Sequence, residues 1–261
     1  MSRRKISGLR TIVTGASSGI GRELALELAR QGARSVLTAR RREVLEGLQG
    51  QVRELGGEAH LVAGDIAEAE LRQRLLEAAQ AELGGLDLLI NNAGVGAIGP
   101  FAEASEARLR RVMEVNFFAP AELIRCAVPL LQAGNRPMIV NVSSVLGHRG
   151  IPKKSEYCAS KFALHGLSDS IRAELTARGI DVLLVSPGTT ATDFFDNVLE
   201  KNGDLPWLAF GAMSARSVAR RTVKAIRRGR HEIILTPGGK ALVWCDRLCP
   251  PLVNRLVARF G

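Results

Sequence analysis

Aromatic residues are scarce in this sequence, at 4% of 261 positions with a single Tyr and two Trp. A surface that stacks successive unpaired bases on aromatic rings needs more than that. Cysteine is scarce too. Cys126, Cys158, Cys245 and Cys249 show neither a C-x-x-C pair nor a Cys/His ligand spacing, which excludes a disulfide scaffold or a zinc knuckle. Cys245 and Cys249 stand one helical turn apart and read as packing. Free thiols suit a reducing compartment, so the chain is expected in the cytoplasm. No window approaches the roughly 18 apolar residues that a spanning helix needs, and Arg3-Arg4-Lys5 is followed by too short an apolar run for a secretory leader. There is no internal repeat and no Ser/Pro-rich linker to divide the chain. The sequon at Asn141-Val142-Ser143 falls at a buried strand end and is read as chance.

What is present is a globular composition, 46% apolar and 24% charged. Bases outnumber acids 36 to 26, a net charge of +10. The basic residues gather at Arg3 to Lys5, Arg40 to Arg42 and Arg220 to Arg230. They fit nucleic acid or an anionic membrane, or solvated helix faces with a pocket for a phosphorylated cofactor; the last is the economical reading. Short β-branched runs alternate with amphipathic stretches. Strands are expected at 11–14, 35–38, 59–63, 86–90, 138–142, 181–186 and 232–235. Helices are expected near 20–30, 42–55, 68–83, 106–131, 156–177 and 217–228. Val182-Leu183-Leu184-Val185 is a continuous apolar run, as in a strand covered on both faces. Repeated strand–helix–strand units predict right-handed crossovers and a doubly wound, seven-stranded parallel sheet in one α/β domain spanning 1–261, with its core at about 10–236. The tail, 237–261, reads as helix broken at Pro250-Pro251. Ligands of such sheets sit beyond the carboxyl ends of the strands, so chemistry is sought there.

The first strand ends in Thr14-Gly15-Ala16-Ser17-Ser18-Gly19-Ile20-Gly21, a glycine-rich turn into a helix. Such a turn lets backbone amides and the positive helix end meet a pyrophosphate. Further along stand Asn91-Asn92-Ala93-Gly94 at a strand end, Asn116 in the long helix, Ser143-Ser144 at another strand end, and Tyr157 with Lys161 one helical turn apart. Alone, each has a structural explanation: a tight turn, a loop cap, a kinked helix, a packed ring.

In this order, with PGTTAT at 187–192, the set resembles the short-chain dehydrogenase/reductase family, in its compact branch of about 250 residues. The resemblance runs from Thr11 to about Leu235. It implies reversible hydride transfer between a nicotinamide cofactor and a carbonyl/alcohol pair, without a metal. Tyr157 would be the general acid or base, and its pKa, ordinarily near 10, would have to fall by about 2–3 units. Lys161 would stabilise the phenolate and hold the ribose hydroxyls. Ser144, thirteen residues before Tyr157, would bind the substrate oxygen, and Asn116 would hold a water linking Lys161 to solvent. Cofactor contacts would come from Gly15, Ser17, Ser18, Gly19, Ile20, Gly21, Asp65, Ile66, Asn92, Ala93, Gly94, Tyr157, Lys161, Pro187, Gly188 and Thr192. A homodimer or homotetramer, packed through the helices of Asn116 and Tyr157, is the family's habit.

NADP(H) is expected over NAD(H). The second strand ends in Ala39-Arg40 where an NAD site carries a carboxylate, and Arg40 can grip a 2′-phosphate. Pocket walls are expected from 95–101, 145–151 and a lid-like stretch at 193–210 that holds Phe194, Phe195, Trp207, Leu208 and Phe210, which favours a lipophilic substrate. The tail carries Leu242, Val243, Trp244, Leu248, Leu252, Val253, Leu256 and Val257 among basic residues. That pattern suits an interface with a membrane surface, a partner subunit or its own domain. A catalytically silent dinucleotide sensor and a basic surface-binding protein are the alternative functions. His148 and His165 read as structural or solvent histidines, and no nucleic-acid partner is expected.

Overall fold

The computed structural model describes residues 3–192, 194, 198–201 and 211–260. Of the expected lid, Phe195, Trp207, Leu208 and Phe210 lie outside them. Strands β1 (Arg10–Thr14), β2 (Arg34–Thr38), β3 (Glu58–Leu61), β4 (Leu88–Asn91), β5 (Met138–Val142), β6 (Asp181–Ser186) and β9 (Glu232–Ile234) form one parallel sheet in the order β3-β2-β1-β4-β5-β6-β9. A two-residue ladder, β7 (Thr190–Ala191) with β8 (Met213–Ser214), ties together the two ends of the lid segment. No sequence signal marks that ladder.

Side-chain alternation along the strands sorts the core into two layers. Val13, Leu37, Leu88, Ile90, Val140 and Leu183 face one way. They meet Leu24 and Leu28 of α1 (Gly19–Arg30), Leu45 and Leu48 of α2 (Arg42–Glu54), and Val223 and Ile226 of α7 (Ala215–Arg227). Ile12, Val36, Leu89, Ile139 and Val182 face the other way. Leu71 and Leu75 of α3 (Ala69–Ala78), Leu123 and Leu131 of α5 (Ala119–Gln132) and Leu175 of α6 (Ser155–Thr176) cover them. Val182 to Val185 are all fully buried. Each such side chain contributes about 1.5–3 kcal/mol relative to exposure.

Several boundaries depart from the sequence reading, among them the helix expected near 68–83, whose last turn, Ala79–Leu83, is a π-turn. β3 stops at Leu61. β4 begins at Leu88, and just before it Asp87 turns its carboxylate back onto Arg10 of β1 and the Asn135 amide. The long helix is α4 (Glu106–Met113) and α5 joined by a π-turn at Glu114–Phe118. Pro120, which lacks an N–H, sits just past that wider turn. The tail forms α8 (Pro237–Leu248) and α9 (Pro250–Phe260), with the break where the paired prolines place it. Val243 and Val253 are buried, and Arg149 reaches across to Asp246 and Asn254 at 2.8 Å each, so the tail docks on its own domain. Of the N-terminal basic run, Arg3 and Lys5 are exposed and the middle residue is not. Arg4 is buried, donating to the carbonyls of Arg136 and Ile226 and pairing with Asp181 at 2.8 Å.

Candidate active site

The strand order reverses between β1 and β4, and the turns after these strands part to leave a crevice. Gly15 (φ +67°) and Gly19 (φ +53°) take backbone angles that a side chain resists. A Cβ on Gly15 would lie 2.8 Å from Ala93 Cα, and one on Gly21 would lie 2.2 Å from the Gly15 carbonyl oxygen. The glycine turn is locked to the β4 end. Asn92 Nδ2 donates to the Thr14 and Gly15 carbonyls at 3.0 and 3.2 Å, and the Thr14 hydroxyl accepts from the amides of Asn92 and Ala93. Ser18 caps α1 without a side-chain hydrogen bond, so the first helical amides point outward unclaimed by a cap.

A single cavity of about 1340 Å³ runs from this turn to the tail. Gly15, Ser17, Ser18, Gly19, Ile20, Arg40, Asp65, Ile66, Asn92, Ala93, Gly94, Ser144, Tyr157, Lys161, Pro187, Gly188 and Thr192 all line it. Gly21 does not; it packs beneath the turn. Asn116 does not either. It is buried in the π-turn, where Oδ1 accepts from the Val95 amide (2.8 Å) and Nδ2 donates to the Val95 carbonyl and Ser160 Oγ (2.9 Å each). Its amide joins the π-turn to the loop after β4 and to α6. Of the segment 95–101 only Val95 reaches the cavity, and Phe101 is 65% exposed.

At the far end Ser144 accepts from the Leu146 amide at 3.1 Å and is hydrogen-bonded to the Tyr157 side chain. Ser143 is buried and donates to the Lys161 carbonyl. Lys161 Nζ donates to the Val142 carbonyl at 2.9 Å and lies 5.6 Å from the centre of the Tyr157 ring. The expected drop in the tyrosine pKa is not seen in the chain alone. Tyr157 has one side open to the cavity, yet the protein packed around the rest of it pushes the phenol above its ordinary value, with Ser144 partly opposing. Burial also pulls Lys161 down to about 8. Both charged forms lose water here, and the ammonium spends a hydrogen bond on a backbone carbonyl.

Several contacts carry no sequence signal. Arg111 of α4 forms a very close ion pair with Asp65, whose carboxylate also accepts from the Ala67 amide. Arg41 Nη2 lies 3.4 Å from Ser17 Oγ, and with Arg40 it lines the cavity, while Arg42 turns away to Glu46. Thr38 Oγ1 is buried at this end with no partner among the described residues. At the other end Phe194 packs on Tyr157 with ring centres 5.6 Å apart. The tail supplies Leu242, Cys245, Val253, Leu256 and Val257 as a wall.

A family model described as short chain dehydrogenase matches residues 10–203. A ketoacyl reductase, HetN, of a Nostoc species is 30% identical, covering 98% of this chain and 90% of that one. A hydroxysteroid 11-beta-dehydrogenase 1-like protein of Xenopus laevis is 34% identical over 98% and 88% of the two chains. The crystal structure of a short chain dehydrogenase/reductase from Burkholderia phymatum in complex with NAD superposes with a TM-score of 0.87. It shares 27% identity over 95% of this chain and 96% of that one.

Proposed function

The chain belongs to the short-chain dehydrogenase family, a family of nicotinamide-dependent oxidoreductases, and from that premise we propose that it moves a hydride between NADP(H) and a lipophilic carbonyl or secondary alcohol. One observation carries the reading. Ser144, Tyr157 and Lys161 line the same cavity as the glycine turn and the apolar wall of the tail. The glycine cradle and the open N-terminus of α1 fit a pyrophosphate. When bound, the nicotinamide supplies or accepts the hydride. Tyr157 gives its hydroxyl proton to the carbonyl oxygen in reduction and takes it back in oxidation. Ser144 donates to the same oxygen. The Lys161 ammonium, 5.6 Å from the Tyr157 ring centre, favours the phenolate and holds the ribose hydroxyls. Asn116 is a positioning residue that fixes the chain at Val95, and a water relay through it is the family's expectation.

The NADP(H) preference rests on Ala39, which leaves no carboxylate at the end of β2, and on Arg40 and Arg41 beside the cavity. The relative solved with NAD is the counterweight. The lipophilic substrate rests on Phe194 and the tail wall, and the names of the two curated relatives point the same way. Phe118 and Phe162 are 49% and 44% exposed at the start of α5 and on α6, which supports a homodimer or homotetramer through these helices. The outer row of the tail, Trp244, Leu248 and Leu252, is exposed beside Arg247 and Arg255, and supports peripheral contact of a cytoplasmic protein with an anionic membrane.

The test is kcat/KM for NADPH and NADH on a panel of lipophilic ketones and sugars, repeated with Arg40→Ala and Arg41→Ala. NADPH preference should fall about 10- to 100-fold, the worth of one or two charge-assisted hydrogen bonds. Equal use of both cofactors by the parent would overturn the cofactor reading, and no turnover of any carbonyl would overturn the activity.

A further inference from the structure

His148 stands just after the short 3-10 turn (Val145–Gly147) that follows Ser144. Its side chain is 3% exposed, and its Nε2 lies 2.9 Å from Ser186 Oγ and 3.4 Å from Glu232 Oε1. His165 of α6 packs edge-on against it with ring centres 4.4 Å apart. One nitrogen from each imidazole and a carboxylate oxygen of Glu232 lie within 4.8 Å of one another. None of the three lines the large cavity. They converge from three elements: the loop after β5, α6 and the edge strand β9.

Two details go beyond proximity. His148 Nδ1 is buried with no hydrogen-bond partner among the described residues. His165 Nδ1 is 3.2 Å from the Gly147 carbonyl oxygen, which can only accept, so that nitrogen carries the hydrogen. In the neutral ring Nε2 then bears a lone pair, and it lies 3.3 Å from Asp169 Oδ2.

We propose that His148, His165 and Glu232 form a binding site for a divalent transition-metal ion of the zinc type, with Asp169 at its rim. Two imidazoles and a carboxylate are a donor set that zinc takes. The Gly147 carbonyl on His165 is the outer partner that a metal-bound imidazole usually has. Bonds of about 2.0–2.1 Å place tetrahedral ligands about 3.3 Å apart. The cluster therefore closes by about 1.5 Å at most on binding, a movement open to the 38%-exposed Glu232 side chain and to the His165 ring at the surface end of the cluster. The surrounding charges are mixed. Glu232 and Asp169 oppose the dication's charge, while Arg172 holds Asp169 at 2.7 Å and Arg247 acts on His148 from α8. An ion here would tie the turn beside Ser144 to the helix that carries Tyr157 and Lys161, and to β9.

The probes are Zn²⁺ and Co²⁺ added to full-length, chelator-treated protein. One Zn²⁺ per chain should bind by calorimetry, and at about a hundredfold excess over Kd it should raise Tm by roughly 5–10 °C. Glu232→Gln and His165→Gln should each stay folded by circular dichroism and weaken binding at least about tenfold, and a Cys245→Ser/Cys249→Ser double variant should bind as the parent does. Co²⁺ should give d–d bands with no thiolate charge-transfer band. Absence of stoichiometric binding, equal affinity in the parent and both ligand variants, or a thiolate band would each overturn the proposal.

Discussion

At the scale of single residues, the site is governed by the cost of burying charge. Tyr157 and Lys161 lie one helical turn apart, yet the chain alone raises the phenol and lowers the ammonium. A cationic cofactor ring is the natural counterweight, because it adds positive charge beside a phenolate that the protein disfavours. Tyr157→Phe keeps the ring and its contact with Phe194 while removing the transferable proton. Turnover of an accepted carbonyl should fall about 10²- to 10⁴-fold. Cofactor affinity, followed by fluorescence titration, should stay within a few-fold of the parent. The spacing of Tyr157 and Lys161 was legible in the sequence. The direction of their pKa shifts was not, because desolvation depends on what the other elements pack around them.

At the scale of elements, polar side chains at strand and helix ends hold the site's frame. Asn92 fastens the β4 end to the glycine turn, and Asn91, Asn141 and Ser168 form a buried hydrogen-bonded row from β4 through β5 to α6. Asp87 does the same at the opposite end of the strands. It accepts from the backbone and side chain of Arg10 and from the Asn135 amide, and these donors hold its pKa below the ordinary carboxylate range despite burial. Asp87→Ala leaves those donors without their acceptor and should cost about 3 kcal/mol in urea unfolding. The sign of the pH dependence follows from the same shift. The carboxylate's contribution is complete above its unfolded pKa of about 4 and is lost as pH falls through the lower folded value. The acid-side slope of stability should therefore be shallower in the variant than in the parent. Sequence periodicity marks the helices and strands but cannot show that a π-turn at Glu114–Phe118 interrupts the long helix, since five residues shift too little of the apolar pattern.

At the scale of the whole molecule, the tail completes the pocket. α8 and α9 put Leu242, Val253 and Val257 on the cavity and Trp244, Leu248 and Leu252 outside. An inner wall and an outer apolar row on the same two helices would bring the substrate end next to a membrane surface. Leu248→Glu/Leu252→Glu changes the outer row alone. Flotation with anionic vesicles should fall at least about fivefold, as buried apolar area and attraction to anionic lipid are lost together, while kcat/KM on a water-soluble carbonyl stays at the parent's level. Unchanged flotation would leave the tail as pocket wall only.

The sequence by itself determined the sheet, its helices, the glycine turn and the ordered set from Asn91 to Thr192. These rest on local rules: alternation of period two, helical periodicity, and the few residue types that a tight turn or a strand end accepts. Only the tertiary structure decided what depends on distant segments meeting. It paired Asp65 with Arg111 and sent Arg40 and Arg41, but not Arg42, to the cavity. It set Asn116 behind the wall, made the tail part of the pocket, and gathered His148, His165 and Glu232 across 84 positions of sequence (148 to 232). Burial and long-range contact have no period along the chain, so no spacing of residues could have announced them.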